Sequence, residues 1–394
     1  MPRAVALCLL FSAACLLAEE PPVYQFESIE IDQITIGYGL ALTDADGDGD
    51  VDIFLADKRT VQWYENPEWV RHTIAEDLTV RDNVCIAARD IDGDGRAEVA
   101  VGGQWNFLET LKDGAVTYLV APEDPRKRWT AISLQHEPSV HRMHWIESRE
   151  KQFTLVVKPL RGRGSLDGNG RGIRILEYFP PGTASEFSKW PTRLVGEELN
   201  LSHNFDPVNW DDDAEEELIV AAKQGVWHFD LEADGWKTRQ LSEAFAGEVR
   251  DGTLPGGRRF FATIEPMHGT AAAVYVEPEA GATSDESWPL SATLKADLVD
   301  GHAVAVGDFL GVGSDQVVIG WRAMKGGVPG IRLYTPLDQF GKEWRETLVS
   351  EEEVAVEDIK AADLNQDGRV DFVAAGRKTK NLRIYFSRDG SRKK

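Results

Sequence analysis

Almost the whole chain is written as short runs in which apolar and polar positions alternate, separated by turns rich in Gly, Pro and charged residues. Val61-Gln-Trp-Tyr64 with Arg71-His-Thr-Ile74, and Ile331-Arg-Leu-Tyr334 with Glu346-Thr-Leu-Val349, are pairs of such runs. A period of two belongs to strands with one face turned inward, and beyond the first 18 residues no stretch of 3.6-residue period is long enough for a helix. The pattern also repeats itself. DADGDGDVD from Asp44, DIDGDGRAE from Asp90, NWDDDAEEE from Asn209 and DLNQDGRVD from Asp363 each run into an apolar strand. A fifth segment, DFLGVGSDQ from Asp308, keeps the strands and has lost most carboxylates. The two long intervals in this series each hold one further degenerate unit, at His141–Trp145 and at Gly247–Arg250, which brings the total to seven.

Each unit reads as an inner strand, an acidic loop, a second strand, a turn and two outer strands. The predicted fold is all-β: a seven-bladed β-propeller of four-stranded blades. The last unit ends near Phe386 after three strands, while Val23–Ile31 is a spare alternating strand. A ring leaves no free sheet edge, so this N-terminal strand is predicted to complete blade seven.

The composition narrows the picture. A chain of 394 residues with 42% hydrophobic residues can bury a large core, and closed all-β domains often exceed the usual domain size. A net charge of −23 argues against nucleic acid and anionic membrane as partners, since both select a basic face. Residues 1–18 read as a signal peptide, with Arg3 before the apolar stretch Ala4–Leu17 and a small residue, Ala18, before Glu19. The expected domain is residues 19–387, followed by a basic tail, 388–394, in a protein that is secreted or periplasmic. Cys15 follows Ser12-Ala13-Ala14 without the leucine of a lipoprotein box, so a lipid anchor is the less favoured reading. Cys8 and Cys15 would leave with the signal, and Cys85 alone cannot form an intrachain disulfide. No second apolar span follows, so no membrane insertion is expected.

In the acidic loops, oxygens at relative positions 1, 3, 5 and 9 are placed to converge on one cation, with Gly near position 6 allowing the turn. These are Asp44, Asp46, Asp48 and Asp52; Asp90, Asp92, Asp94 and Glu98; Asn209, Asp211, Asp213 and Glu217; and Asp363, Asn365, Asp367 and Asp371. Position 12, where an EF-hand needs Glu, holds Leu55, Val101, Val220 or Ala374, so structural calcium in a different loop is the reading. The repeats resemble FG-GAP/VCBS repeats, the calcium-loop blades also found in integrin α-subunit propellers. That resemblance implies the seven-bladed fold which the repeat count supports on its own.

Six residues before each loop lies the start of an inner strand, roughly 20 Å from the loop, on the opposite face. Those positions hold Tyr38, Val84, His141, His203, His302 and Glu357. The turns after the second strands return to the same face and carry Gln104-Trp105, Arg161-Gly-Arg163, His268, Trp321-Arg322 and Arg377–Lys380. One mouth of the channel therefore gathers four of the eight histidines with arginines, lysines and tryptophans. Three neutral imidazoles with a fourth position open is the arrangement of a catalytic zinc site. His203, His268 and His302 are the expected zinc ligands. His141 and Glu357 are candidate proton-transfer groups. Arg142, Arg163 and Lys380 are candidates for orienting hydroxyls or stabilising charge, and Gln104, Trp105, Trp321 and Arg322 for binding substrate. His72, His136 and His228 fall on outer strands or loops, and His144 is expected to pack between blades.

The strings around these residues, among them His141–Trp145, Pro159–Gly164, Ser202–Pro207, Thr263–Gly269, Val299–His302 and Ala374–Asn381, look like the propeller domain of aldos-2-ulose dehydratase (1,5-anhydrofructose dehydratase). The resemblance spans about 36 to 387. It implies a catalytic zinc ion at the bottom of a cleft in the propeller and removal of water from a keto-sugar. The cupin and lectin-like domains of the fungal enzyme are absent from this sequence. The function expected is a metal-dependent lyase acting on a small carbohydrate, a keto-sugar or anhydro-sugar, by proton abstraction beside a carbonyl and β-elimination. Two alternatives stand beside it: a non-catalytic, calcium-stabilised propeller of integrin-like type that binds carbohydrate or protein, and a calcium-using polysaccharide lyase.

Overall fold

In the computed structural model, residues 25–149, 152–182, 189–211, 213–279 and 286–388 are described. The segment read as a signal peptide, Val23 and Tyr24 of the expected closing strand, and the expected tail beyond Arg388 lie outside them. The described residues form seven four-stranded antiparallel sheets arranged as a ring, with no helix among them. Among the described residues no helix is long and apolar enough to cross a membrane.

Blades one to six are consecutive meanders: Gly39–Glu76, Cys85–Leu134, Val140–Gly196, Phe205–Ser242, Glu248–Lys295 and Gly301–Glu351. Blade seven takes three strands from Val356–Arg388 and its outermost strand from Gln25–Gln33, as the pattern predicts. That strand runs antiparallel to Asn381–Arg388, in register from Gln25 against Arg388 to Gln33 against Asn381, with one irregularity between Glu30 and Asp32. Phe26 seats its ring edge-on to Phe372, 5.3 Å between centroids, and Ile29 and Ile31 pack with Ile384 and Tyr64.

The core lies between blades, because each sheet presents apolar side chains to both neighbours. Phe54, Trp63, Ile86, Val99 and Val101 fill the space between blades one and two, and Ile264, Val274, Val304 and Ile319 that between five and six. Polar side chains tie blades together where strands end. Asn66 donates to the Leu364 carbonyl at 2.8 Å, joining blade one to blade seven, and Trp145 donates to the Glu98 carbonyl at 3.0 Å, joining three to two. As expected, His144 packs between blades, edge-on to Phe205 of blade four.

In all four acidic loops the position-nine carboxylate is turned inward and accepts the N–H of position two: Asp52 from Ala45, Glu98 from Ile91, Glu217 from Trp210 and Asp371 from Leu364. In the degenerate fifth loop the Gln316 amide oxygen does equivalent work for Leu310, which explains how that turn keeps its shape with fewer acids.

The closing strand completes blade seven by pairing residues from opposite ends of the described chain. A chain beginning at Ile34 should melt about 10 °C lower and lose cooperativity, since it removes the outer strand of blade seven, with Phe26, Ile29 and Ile31, and bares the edge of Asn381–Arg388. Thermal unfolding followed by circular dichroism checks this.

Candidate metal centre and substrate cavity

The inner strands of the seven blades start at one mouth of the central channel. His141, His203, His302, Glu357, Tyr38 and Val84 all sit at these starts and are all buried. The turns following the second strands bring Trp105, Arg161, His268, Arg322 and Arg377 to the same place. Together with Phe107, Arg142, Leu160, Leu201 and Met267 they enclose a cavity of about 340 Å³.

Four imidazoles crowd this cavity. The ring centroid of His203 lies 4.6 Å from His141, 4.4 Å from His268 and 4.9 Å from His302, and His268 is 4.5 Å from His302. One ring nitrogen each from His203, His268 and His302 fall within 4.8 Å of one another. Two of these rings are oriented from behind. His203 Nδ1 donates to Glu248 Oε1 at 2.5 Å, and His302 Nδ1 donates to the Glu357 carbonyl at 2.6 Å, which leaves Nε2 of each as a lone-pair donor. His268 Nδ1 receives Arg322 Nη2 at 3.1 Å, and its Nε2 is buried without a partner among the described residues. Both ring nitrogens of His141 are likewise buried and unpartnered, and its ring stacks on Trp105 at 4.8 Å.

Burial keeps all four rings neutral. It drives His141, His203 and His302 well below the ordinary imidazole value, reinforced by Arg142 for the first two and by Arg322 for the third. Burial, then His203 and Arg322, takes His268 down to about 2. Neutral imidazoles with free lone pairs are the form that ligates a metal or accepts a proton.

Glu357 is gripped by two guanidiniums, Arg377 at 2.7 Å and Arg322 at 3.2 Å. Arg142 is buried and hydrogen-bonds to the carbonyls of His141, at 3.0 Å, and Val84, at 3.4 Å. Arg377 also lies 5.1 Å from the Tyr38 ring centre, and burial pushes the Tyr38 phenol up to about 12.

Other residues singled out from the sequence stand apart from the cavity. Trp321 packs in the core between blades five and six and donates to the Val328 carbonyl. Gln104 turns to Asp113, Arg163 pairs with Glu137, and Lys380 is exposed at the end of its turn. His72 hydrogen-bonds Glu65 on an outer strand, His228 stacks on Trp210, and His136 is exposed in a loop.

Three residues escaped the sequence reading. Glu248 is the blade-five counterpart of His203: it lies five residues before the strand-closing pair Thr253–Arg259, as His203 lies five before Val208–Glu217. Blade five lacks an acidic loop, so the count had no anchor there, although the strand-closing pair supplies one. Arg377, rather than Lys380, is the residue of its turn that enters the cavity. Lys158 is fully buried behind His141 and His203, donates to the Ser202 carbonyl at 2.5 Å and is held well below the usual lysine value by burial and by Arg142.

At the opposite mouth, oxygens of Asp44, Asp46 and Asp48 lie within 4.8 Å of one another, as do those of Asp90, Asp92 and Asp94. Asp52 and Glu98 are not in these groups. In blade four the grouped carboxylates are Asp211, Glu217 and Asp230, while Asn209 reaches the Asp213 carbonyl. In the blade-seven loop, Asp363 caps the N–H groups of Asp367 and Gly368, and Asn365 that of Asp367.

The sequence model of FG-GAP-like repeats matches residues 44–101, which are blade one without its innermost strand and most of the first two strands of blade two. No curated protein matches the chain. Among solved structures, a chain of the mitotic checkpoint complex aligns over 98% of both chains at 13% identity and TM-score 0.55. The β-propeller domain of Cps50 (Swd1) from Myceliophteria thermophila covers 91% of this chain and 99% of that one at 10% identity and TM-score 0.54. BBS1N, solved in complex with ARL6DN, covers 92% and 96% at 14% identity and TM-score 0.55. At these identities the likeness is one of fold. The chain is a seven-bladed β-propeller in which residues 44–101 match FG-GAP-like repeats.

The inward carboxylates predict a pH dependence. Burial raises Asp52, Glu98 and Glu217 to about 7 and Asp371 to about 6. The folded chain holds protons on these carboxylates that the unfolded chain releases from about pH 4 upward, so in chelator the margin in stability of the wild type over Glu98→Gln should shrink as pH rises from 5 to 8, the buried neutral histidines acting alike in both chains. Melting temperatures measured in EGTA across that range check the sign.

Proposed function

We propose that this chain is an exported, metal-dependent carbon–oxygen lyase that removes water from a keto-sugar or anhydro-sugar. The observation that carries the reading is the meeting of His203, His268 and His302 from three blades, beside a fourth histidine with both ring nitrogens free. The donor set suits zinc: neutral imidazoles, a carboxylate and a carbonyl fixing two of the rings, and room for a further ligand in the adjoining cavity. For His268 to ligate through Nε2 its proton must sit on Nδ1, so Arg322 would give up that contact and keep Glu357.

When bound, the cation would polarise a sugar carbonyl and acidify the neighbouring C–H. His141, neutral and held flat against Trp105, is the base that takes that proton. Glu357, neutralised by two arginines, serves to hold Arg322 and Arg377 toward the cavity rather than as the base. These guanidiniums and Arg142 orient hydroxyls and face the negative charge that develops on oxygen. The β-hydroxyl leaves with the proton that His141 has taken from carbon, which returns the imidazole to its neutral form, so the products are water and an enone. Trp105 and Phe107 supply faces for the C–H side of the ring.

Calcium in the acidic loops of blades one, two and seven belongs to the same proposal, as a brace for the turns on the far mouth. The blade-four loop would use Asp211, Glu217 and Asp230.

Metal analysis and turnover of 1,5-anhydrofructose, followed by enone absorbance, test the reading. The purified protein should hold about one zinc per chain. His203→Ala and His302→Ala should lose both zinc and turnover, while His141→Ala keeps zinc and loses about 10²–10⁴-fold in rate. Zinc retained in the first two variants, or full rate in the third, would overturn it. A zinc-free protein that binds sugar without turning it over would return the chain to the non-catalytic, calcium-braced class.

A further inference from the structure

Beside the histidine cavity lies a second recess of about 400 Å³ walled by Arg161, Arg163, Arg171 and Arg174, with Glu137 and Glu197 as its acids. Arg161 lines both spaces, so they adjoin. The recess is built by the longest turn on this mouth, residues 160–174 of blade three, whose Arg/Gly content sets it apart from the other turns. Its two ends are pressed together: a Cβ on Gly162 would meet the Arg171 carbonyl at 1.9 Å, and one on Gly172 the Glu197 carbonyl at 1.8 Å. Only glycine permits that approach.

The arginines are held in place rather than trailing in solvent. Glu137 is buried and binds Arg163 through Oε2 at 2.8 Å and Arg174 through Oε1. Arg161 donates to the Phe107 carbonyl at 2.6 Å, and its Nε is buried with no partner among the described residues. The Arg171 side chain has no partner among them either, although it is exposed on the recess wall. In a chain of net charge −23, this mouth collects positive charge that its own carboxylates do not cancel. Such a surplus, on forked donors with free N–H groups, selects an anion.

We infer that this recess is an anion subsite, taking the carboxylate or sulfate group of an acidic saccharide whose sugar ring occupies the histidine cavity. The inference rests on the reading that the cavity receives a sugar. Trp105 and Phe107, the latter 54% exposed at the shared rim, provide the apolar surface that a sugar ring needs and that a free inorganic anion does not.

Titration calorimetry of the full chain with D-glucuronate, D-glucose 6-sulfate, D-glucose and inorganic sulfate tests it. At least one acidic sugar should bind about tenfold tighter than D-glucose and tighter than sulfate, and the preference between the two acidic sugars names the anionic group. Arg171→Gln changes an exposed side chain without partners, so the fold is kept. It should weaken the acidic sugars about tenfold and leave D-glucose unchanged. Neither acidic sugar binding tighter than D-glucose, sulfate binding as tightly as the better acidic sugar, or an Arg171→Gln protein indistinguishable from wild type would overturn the subsite. Binding of no sugar at all would overturn it together with the sugar reading. Zinc content separates the two claims. Zinc uptake without discrimination between sugars sinks only the anion subsite, and discrimination without zinc sinks only the metal-dependent chemistry.

Discussion

Everything at the histidine mouth depends on seven twisted sheets being held about one axis, and the antiparallel pairing of Gln25–Gln33 with Asn381–Arg388 completes that ring. No blade owns a complete site. His203 belongs to blade four, His268 to a turn of blade five, and His302 to blade six. The groups behind them also cross blades: Glu248 of blade five holds a ring from blade four, and the Glu357 carbonyl of blade seven holds one from blade six. Displacement of one blade by an ångström would undo these contacts, so the apolar packing between sheets acts on the cavity by fixing distances.

The two mouths divide the labour of the strands that join them. On one side the inner strands end in carboxylate-rich turns whose first aspartates cap several N–H groups, as Asp44 does for Gly47 and Gly49. On the other side they begin with imidazoles and acids from which water is largely excluded. The inward carboxylates Asp52, Glu98, Glu217 and Asp371 are the first residues of the second strands and stitch each turn shut. Sequence spacing assigned these four to the cation-binding set, and spacing alone does not reveal which way a carboxylate at a strand end points. Their hydrogen bonds give them a role in the turn whether or not an ion is present.

Strand periodicity carried the reading furthest. Because side chains alternate and blades repeat, a fixed offset from the loop identified the buried residues that face one another across the channel, and the three histidines found that way do meet. The method failed where its ruler was missing: blade five closes its first hairpin through Thr253–Arg259 with no acidic loop, and Glu248 went unnoticed. Turn residues were harder, because a turn has no period. Of the Arg377–Lys380 turn the sequence reading chose Lys380, whereas Arg377, next to the strand end, enters the cavity. Trp321, still inside its strand opposite Gly330, follows the alternation into the core, which a residue-type argument about sugar stacking overlooked.

The rim of the cavity is lopsided. Residues 104–114 and 160–174 rise over blades two and three, and Lys223 of blade four anchors the longer of them through the Gly168 carbonyl and the Asn169 side chain. Blades seven and one contribute only the short connections 377–380 and 57–59. A ligand longer than one ring therefore has a threshold to overhang on that low side and a parapet to meet on the other. The parapet can lengthen, shorten or change its charge without disturbing the strands beneath it, so the preference for what enters is free to drift while the floor stays constant.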